Sequence, residues 1–154
     1  MSSPAPRPST RRPDVAEIDA LVEGTHSDPH RFLGPHQAGD ATLVRAYHPT
    51  AKTAAVAHVG AVVDMERIDD RGVFEARIPV ANLAGYRLRL GDGDRTWEID
   101  DPYRFWPTIG ELDLHLIGEG HHLQLWTRLG ARVIEHQGVR GTAVALWAPR
   151  ERCR

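Results

Sequence analysis

From Thr42 onward the period of the sequence changes, and in three segments apolar and polar residues alternate one by one, a pattern that restricts the fold more than any other feature of the chain. In the segment Val73–Ile78, Phe74, Ala76 and Ile78 share one face, while Glu75 and Arg77 take the other. Tyr86, Leu88 and Leu90 alternate with Arg87 and Arg89, and Trp97 and Ile99 alternate with Glu98 and Asp100. A period of two belongs to a strand buried on one side. Between the last two runs, Gly91-Asp92-Gly93-Asp94 supplies the positive-φ positions of a hairpin turn. Thr42–His48, closed by Pro49, and Ala54–Val63, interrupted at Gly60, read as two further strands. Strands at this spacing predict an antiparallel, immunoglobulin-like β-sandwich over residues 41–106, and a chain that is mainly β. About a dozen inward side chains, at roughly 1.5–3 kcal/mol each, offset the entropy of ordering such a domain.

The flanks read differently. Residues 1–13 form a Pro/Ser/Arg tail with nothing to bury, for which disorder is expected. Residues 14–40 read as a helix-and-loop lead-in. Asp14 N-caps a short helix, Glu17 stands at the capping-box position, and Gly24 supplies the stop. Val15, Ile18, Leu21 and Val22 give that helix one apolar stripe. His26–His36, holding Pro29, Gly34 and Pro35, reads as a loop with at most one helical turn. After Asp101-Pro102 ends the sandwich, residues 107–137 read as a helical linker. Within it Glu111–Ile117 fits a helix or a strand, whereas His121–Leu129 reads as a helix with Leu125, Trp126 and Leu129 on one side. Residues 138–154 hold one last strand, Gly141–Trp147, with no sequence left to pair with it. That predicts the first strand of an incomplete second β-sandwich, frayed or borrowed onto another surface.

Composition narrows the class. Apolar residues make up 41% and charged residues 26% of 154, values that exclude a wholly disordered chain, a collagen-like repeat and a disulfide scaffold. With a formal net charge of −2 there is no global field for nucleic acid or an anionic membrane. Of the 19 basic side chains all but Lys52 are Arg, and no motif uses the guanidinium fork. The lone Cys153 forms no internal bridge, which fits a reducing compartment and a cytoplasmic location. No apolar run approaches the roughly 18 residues needed to span a bilayer, and the first 13 residues lack the apolar segment of a signal peptide.

No constellation declares an enzyme. His26, His30 and His36 lie near Asp28, but Pro29 breaks the helical i, i+4 spacing that a two-histidine metal face needs, so they read as polar loop residues. His121 and His122, as neighbours, point to different sides of a helix. Asp69-Asp70 and Asp100-Asp101 flank turns and are expected to be solvated. A glycosidase pair instead needs two carboxyls across a cleft, one of them with its pKa raised, and Asp100-Asp101 better suits a cap before Pro102. None of Ser2, Ser3, Ser9 and Ser27 sits in a nucleophile elbow. The Gly91-Asp-Gly-Asp run lacks the helix of a phosphate loop, and its aspartates repel phosphate. No catalytic residue, metal or cofactor is therefore assigned. Among the aromatics, periodicity places Trp97, Trp126 and Tyr86 on buried faces. Tyr103 and Trp106, in a linker beside prolines, remain as candidate carbohydrate-binding rings.

Several segments, in order, resemble the N-terminal region of prokaryotic glycogen (1,4-α-glucan) branching enzymes. They are Gly24-Thr-His-Ser-Asp-Pro-His-Arg-Phe-Leu-Gly-Pro-His36, Val44-Arg-Ala-Tyr-His-Pro49, Gly72-Val-Phe-Glu75 and Asp101-Pro-Tyr-Arg-Phe105. Then follow Gly110-Glu-Leu-Asp-Leu-His-Leu-Ile-Gly-Glu-Gly-His121, Leu129-Gly-Ala131, Gly138-Val-Arg-Gly-Thr142 and Trp147-Ala-Pro149. The resemblance covers residues 14–149. It implies a first β-sandwich module over 41–106, the opening strand of a second over 138–149, and a catalytic (β/α)₈ barrel beyond. The family cuts an α-1,4 glucan and transfers the piece to a 6-hydroxyl through a retaining carboxylate pair on the barrel, and no position here corresponds to that pair. After Pro149 the family continues with an Asn-Ala pair and further strands. Here Arg150-Glu-Arg-Cys-Arg154 follows, which reads as a truncation or a frame change. The expected role is thus a non-catalytic module whose partners are α-glucan and the remaining domains of the same enzyme, with no nucleic acid and no membrane. A purely structural packing module and a standalone glucan-binding or regulatory domain are the alternatives.

Overall fold

The computed structural model describes residues 13–147. All of the expected tail except Pro13, and Ala148–Arg154 with the lone Cys153, lie outside the described residues. The described chain is mainly β, with antiparallel sheets and short helices, and it divides into two compact units between Arg104 and Phe105.

In the first unit, α1 (Val15–Val22) begins where Asp14 accepts the Ala16 amide at 3.4 Å, and it buries Ile18 and Leu21. Glu17, placed by its spacing for a capping box, instead lies 3.8 Å from Nε2 of His26. A single 3₁₀ turn at Pro29–Arg31 follows. Eight strands come next: β1 (Gly34–Ala38), β2 (Ala41–Tyr47), β3 (Thr53–His58), β4 (Ala61–Asp64), β5 (Glu66–Asp69), β6 (Val73–Ile78), β7 (Arg87–Gly91) and β8 (Thr96–Asp100). They form two four-stranded antiparallel sheets, ordered β1-β2-β6-β5 and β4-β3-β7-β8. The turn at Gly91–Asp94 forms as its residues dictate. Oδ1 of Asp92 accepts the amides of Asp94 at 3.0 Å and Arg95 at 2.9 Å, and Gly93 holds φ +106°. Two strands go unannounced by alternation. β1 lies inside the stretch read as loop, and β5 has a register shift against β6 between Arg67 and Asp69.

The alternating faces meet as their period requires. Val44 and Ala46 of β2, Val56 of β3, Phe74, Ala76 and Ile78 of β6, and Leu88 and Leu90 of β7 belong to one buried cluster, with Trp97 and Ile99 packed at its margin. A second cluster covers the other face of the first sheet, where Ile18 and Leu21 of α1 meet Phe32, Leu33 and Val73. Within that cover Arg45 is 0% exposed. Its Nε donates to Oε2 of Glu75 at 2.7 Å, and its guanidinium lies 5.0 Å from the centre of the Phe32 ring. Arg45 and Glu75 are directly opposed across β2 and β6, so the pairing register itself brings them together. At the rim, Arg71 bridges Asp19 of α1 and Asp69 of β5, at 2.7 and 2.8 Å.

The end of this unit is fastened inside it. Asp101, expected to be solvated, is 1% exposed. Its Oδ2 accepts the Tyr86 hydroxyl, and its Oδ1 accepts the Tyr103 amide at 2.9 Å, so the capping role holds while the solvation does not. Burial pushes the Asp101 carboxyl above the usual carboxylate range and, with the neighbouring carboxylate, pushes the Tyr86 phenol up as well. The Tyr103 backbone closes onto Gly34. There φ is +88°, and a Cβ would stand 2.5 Å from the Tyr103 carbonyl oxygen, which leaves glycine as the residue that fits.

The second unit is built otherwise. α2 (Glu111–Gly118) is helical where the sequence fitted either form, and the expected helix over His121–Leu129 shrinks to a 3₁₀ turn at Leu125–Thr127. A short helix with no core beneath it gains too little to propagate. Asp113 acts as the local hub. It accepts His122 at 3.0 Å, Arg128 at 3.1 Å and the Gly110 amide at 3.2 Å, bonds that hold its carboxyl below the usual range. The last strand is neither frayed nor borrowed. β9 (Gly130–His136) and β10 (Val139–Ala145) form an antiparallel hairpin whose turn holds Gln137 and Gly138 at positive φ. The missing partner precedes β10 in the chain, inside the stretch read as linker.

Two outcomes follow for stability. Glu75→Ala is expected to cost about 3 kcal/mol in urea denaturation by leaving the Arg45 guanidinium without its carboxylate, while the double variant Arg45→Met/Glu75→Leu returns most of that loss. Asp101 binds its proton more tightly folded than unfolded, where its pKa is 3.8. Its contribution is therefore largest at low pH and is lost as pH rises through the raised folded value. Asp101→Asn keeps both bonds, because its amide donates to the Tyr86 oxygen and its carbonyl accepts the Tyr103 amide. Relative to this variant, the parent chain should gain stability on acidification from pH 7 towards 4, and Tyr86→Phe should lose about 1–3 kcal/mol at pH 7.

Candidate functional site

Three of the four carboxylates in the acidic pairs, Asp69, Asp100 and Asp101, are committed to the fold. Both oxygens of Asp69 bind Arg71, which takes its carboxyl down to about 2, and Asp100 holds Arg104 at 3.1 Å. Asp101 has a raised pKa, as a general acid needs, but with 1% exposure it is out of a substrate's reach. The three lead-in histidines go to three different partners. Nδ1 of His26 accepts the Asp28 amide at 3.1 Å, His30 stands edge-on to Tyr103 at 5.1 Å, and the buried His36 donates from Nε2 to the Phe32 carbonyl at 3.0 Å. Desolvation lowers the His36 pKa, which favours its neutral form. His121 and His122 do point apart, one towards Glu119 and the other to Asp113. Among the described residues no group of three or more His, Cys, Asp and Glu side chains is placed to hold a metal ion, and no helix is long and apolar enough to cross a membrane.

The aromatic rings part company. Tyr86 is buried and Trp97 half-buried, as their periodicity requires. Trp126, expected on a buried face, is 73% exposed because the helix that was to carry it does not form. Tyr103 belongs to the first unit, half-buried against the α1 cluster, and burial raises its pKa. It serves packing there more than it offers a face. Trp106 belongs to the second unit and is 62% exposed.

The surroundings of Trp106 hold a residue that the sequence did not single out. His136, at the end of β9, donates from Nε2 to the Trp106 carbonyl oxygen at 2.8 Å, and its ring lies 6.2 Å from that of Phe105. Thirty positions separate the two residues, so no local pattern announces the contact. An exposed indole on a backbone fixed in this way can stack on the apolar face of a sugar ring. Trp126 and Trp147 add two more exposed indoles to this unit. The clearest concavity of the first unit is an open depression of about 340 Å³ on the outer face of the second sheet, lined by Ala57, Val62, Arg87, Arg89 and Glu98 among others. No Trp, Tyr or Phe lines it, and Arg89 is engaged by Glu98 at 2.7 Å.

Comparison with known proteins bears on the whole chain. The family described as alpha-1,4-glucan branching enzyme GlgB, N-terminal domain, matches residues 14–103. The 1,4-alpha-glucan branching enzyme GlgB of Cereibacter sphaeroides is 46% identical over 140 residues, which are 89% of this chain and 19% of that one. GlgB 1 of Streptomyces coelicolor is 42% identical over 140 residues, 91% of this chain and 18% of its own. The enzyme of Mycolicibacterium paratuberculosis is 43% identical over 142 residues, 89% of this chain and 19% of its own. Among solved structures, the pullulanase of Paenibacillus barengoltzii in complex with maltohexaose and alpha-cyclodextrin overlays 82% of this chain at 18% identity and a TM-score of 0.41, with 18% of its own chain covered. That likeness is too slight to bear on fold or site. The present chain thus spans about a fifth of the length of the curated relatives it matches, and it belongs to the family of GlgB N-terminal domains.

Proposed function

We propose that this chain is a non-catalytic N-terminal module of a 1,4-α-glucan branching enzyme of glycogen biosynthesis. The complete enzyme moves α-1,4 glucan segments onto 6-hydroxyls to form α-1,6 branches, and the module's part is to hold the glucan while chemistry proceeds elsewhere. One observation carries the reading: the family match over residues 14–103 coincides with the self-contained sandwich, while the relatives run about five times longer. The commitment of Asp69, Asp100 and Asp101 to structural bonds supports a role without catalysis. With one cysteine in 154 residues, the chain suits the reducing cytoplasm.

For glucan contact, Trp106 is the first ring and Tyr103 the second. A single exposed indole gives weak binding, since ring contact must first offset the loss of translational freedom on association. The alternative is a packing module that binds no sugar. The half-buried position of Tyr103 favours that alternative for this ring alone.

Affinity electrophoresis through a glycogen-containing gel separates the two. The chain should be retarded, and Trp106→Ala should lower the affinity about fivefold to tenfold, on the order of 1 kcal/mol. Tyr103→Phe should change it little. Unchanged mobility of the parent chain would assign the module to packing, and full retardation of Trp106→Ala would remove this ring from the site.

A further inference from the structure

Ala54 and Val56 of β3 belong to the core between the sheets, so Ala55 and Ala57 lie on the outer face of the second sheet. Strand register sets two rows across that face, Asp64–Ala55–Arg89–Glu98 and Val62–Ala57–Arg87–Asp100. In both rows the residue on β3 is alanine, flanked by longer side chains on β4 and β7. The face is therefore a trough that follows β3. Its walls stand two strand spacings apart, about 9–10 Å, and the six residues of β3 give it a length of about 20 Å. Its floor is apolar, with Ala55 6% exposed. Two depressions of about 340 and 220 Å³ occupy it, and both are lined by Val62 and Arg89.

The walls are polar and pinned. Oε1 of Glu98 accepts Nε and Nη2 of Arg89 at 2.9 and 2.7 Å, and its Oε2 lies 3.6 Å from Nη1 of Arg87. The Glu98 carbonyl accepts Nη2 of Arg87 at 3.3 Å. A guanidinium carries five N–H donors, so each arginine keeps donors for a ligand while its plane is already fixed. Asp64, on the opposite wall, supplies acceptors. Formal charge on the face cancels: Arg87 and Arg89 stand against Asp64 and Glu98, and Asp100 is answered by Arg104. Neither a phosphate nor a cation gains from such a surface. It suits a neutral ligand whose groups both donate and accept, as sugar hydroxyls do.

We propose that this trough is a carbohydrate site additional to the ring at Trp106, taking an α-1,4-glucan segment along β3 and holding it by its hydroxyls through Arg87, Arg89 and Asp64. The choice of α-glucan among polyhydroxyl ligands rests on reading the chain as a branching-enzyme module. No Trp, Tyr or Phe lines either depression, so recognition here is by hydrogen bonds and not by stacking. Because Glu98 holds both guanidiniums in place beforehand, little side-chain freedom is lost on binding.

Titration of the 154-residue chain with maltoheptaose, followed by its backbone amide shifts, tests the site. Amides of residues 54–57, 62–64, 87–90 and 97–98 should move along one isotherm, and Trp106→Ala should leave that isotherm unchanged. The double variant Arg87→Gln/Arg89→Gln should weaken it about tenfold. Arg89→Lys keeps the charge but loses the fork, so it should weaken binding about as much as Arg89→Gln. Ala57→Gln, which fills the floor and spares both arginines, should also weaken it. Inorganic phosphate should move none of these amides, and raising NaCl from about 50 to about 500 mM should change the maltoheptaose affinity less than about twofold. Shifts confined to residues 103–106 would overturn the trough and leave the glucan-holding reading in place, whereas no shift anywhere would overturn both. Shifts with phosphate and none with maltoheptaose would overturn it in favour of an anion site. An isotherm untouched by Arg87→Gln/Arg89→Gln would contradict it as well.

Discussion

A guanidinium withdrawn from water is costly unless every part of it finds a partner, and the first unit is organised around one. Arg45 projects from the β2 face opposite to Val44 and Ala46, so it leaves the inter-sheet core on the far side of its own sheet. Its charge is met by Glu75 on the neighbouring strand, and its flat face is met by Phe32. On that same sheet face Ile18 and Leu21 of α1 belong to the apolar cluster that also holds Phe32. The lead-in helix is therefore part of the domain. Take it away and that cluster loses two of its buried members, over the sheet face where Arg45 and Glu75 face each other across β2 and β6. Among the described residues of the first unit, the outer face of the second sheet, with Arg87, Arg89 and Glu98, carries no such cover.

The two units consequently rest on different physics. The first has apolar clusters on both faces of one sheet and a carboxylate latch, Asp101 with Tyr86, where the chain leaves the sandwich. The second is held by a polar hub at Asp113 and by one ladder of strand hydrogen bonds. Stability should accordingly be high and cooperative in the first and low in the second. The first unit is thus held by apolar packing, while the second is held by polar bonds with apolar residues turned outward.

Strict alternation made β6, β7 and β8 legible in the sequence, a run closed by Pro49 did so for β2, and the Asp14 cap with its 3.6-residue stripe did the same for α1. Elements without those marks were not legible. β1 begins at Gly34-Pro35, residues that ordinarily argue against a strand, and it is tolerated because it lies at a sheet edge. β9 mixes Arg132, Glu135 and His136 among its apolar residues and opens at Gly130, directly after the segment His121–Leu129 that reads as a helix. Asp101 was read as solvated because nothing local reveals that Tyr86, fifteen residues earlier, donates to it. The candidate ring at Trp106 was found by its proline neighbour, which kept it out of any periodic face. Its support by His136 depends on the hairpin returning, a tertiary fact with no local signature.

Native-state hydrogen exchange on the 154-residue chain, resolved by residue, tests most directly that the first unit is the self-sufficient body. The account predicts that amides of β2, β3, β6 and β7 exchange slowest and share one opening free energy. Those of residues 105–147 should exchange roughly 100-fold faster, and protection of β2 and β6 should fall together when Glu75 is replaced by Ala. Uniform protection across both units, or a β9–β10 hairpin as slow as the β2–β6 pair, would contradict it.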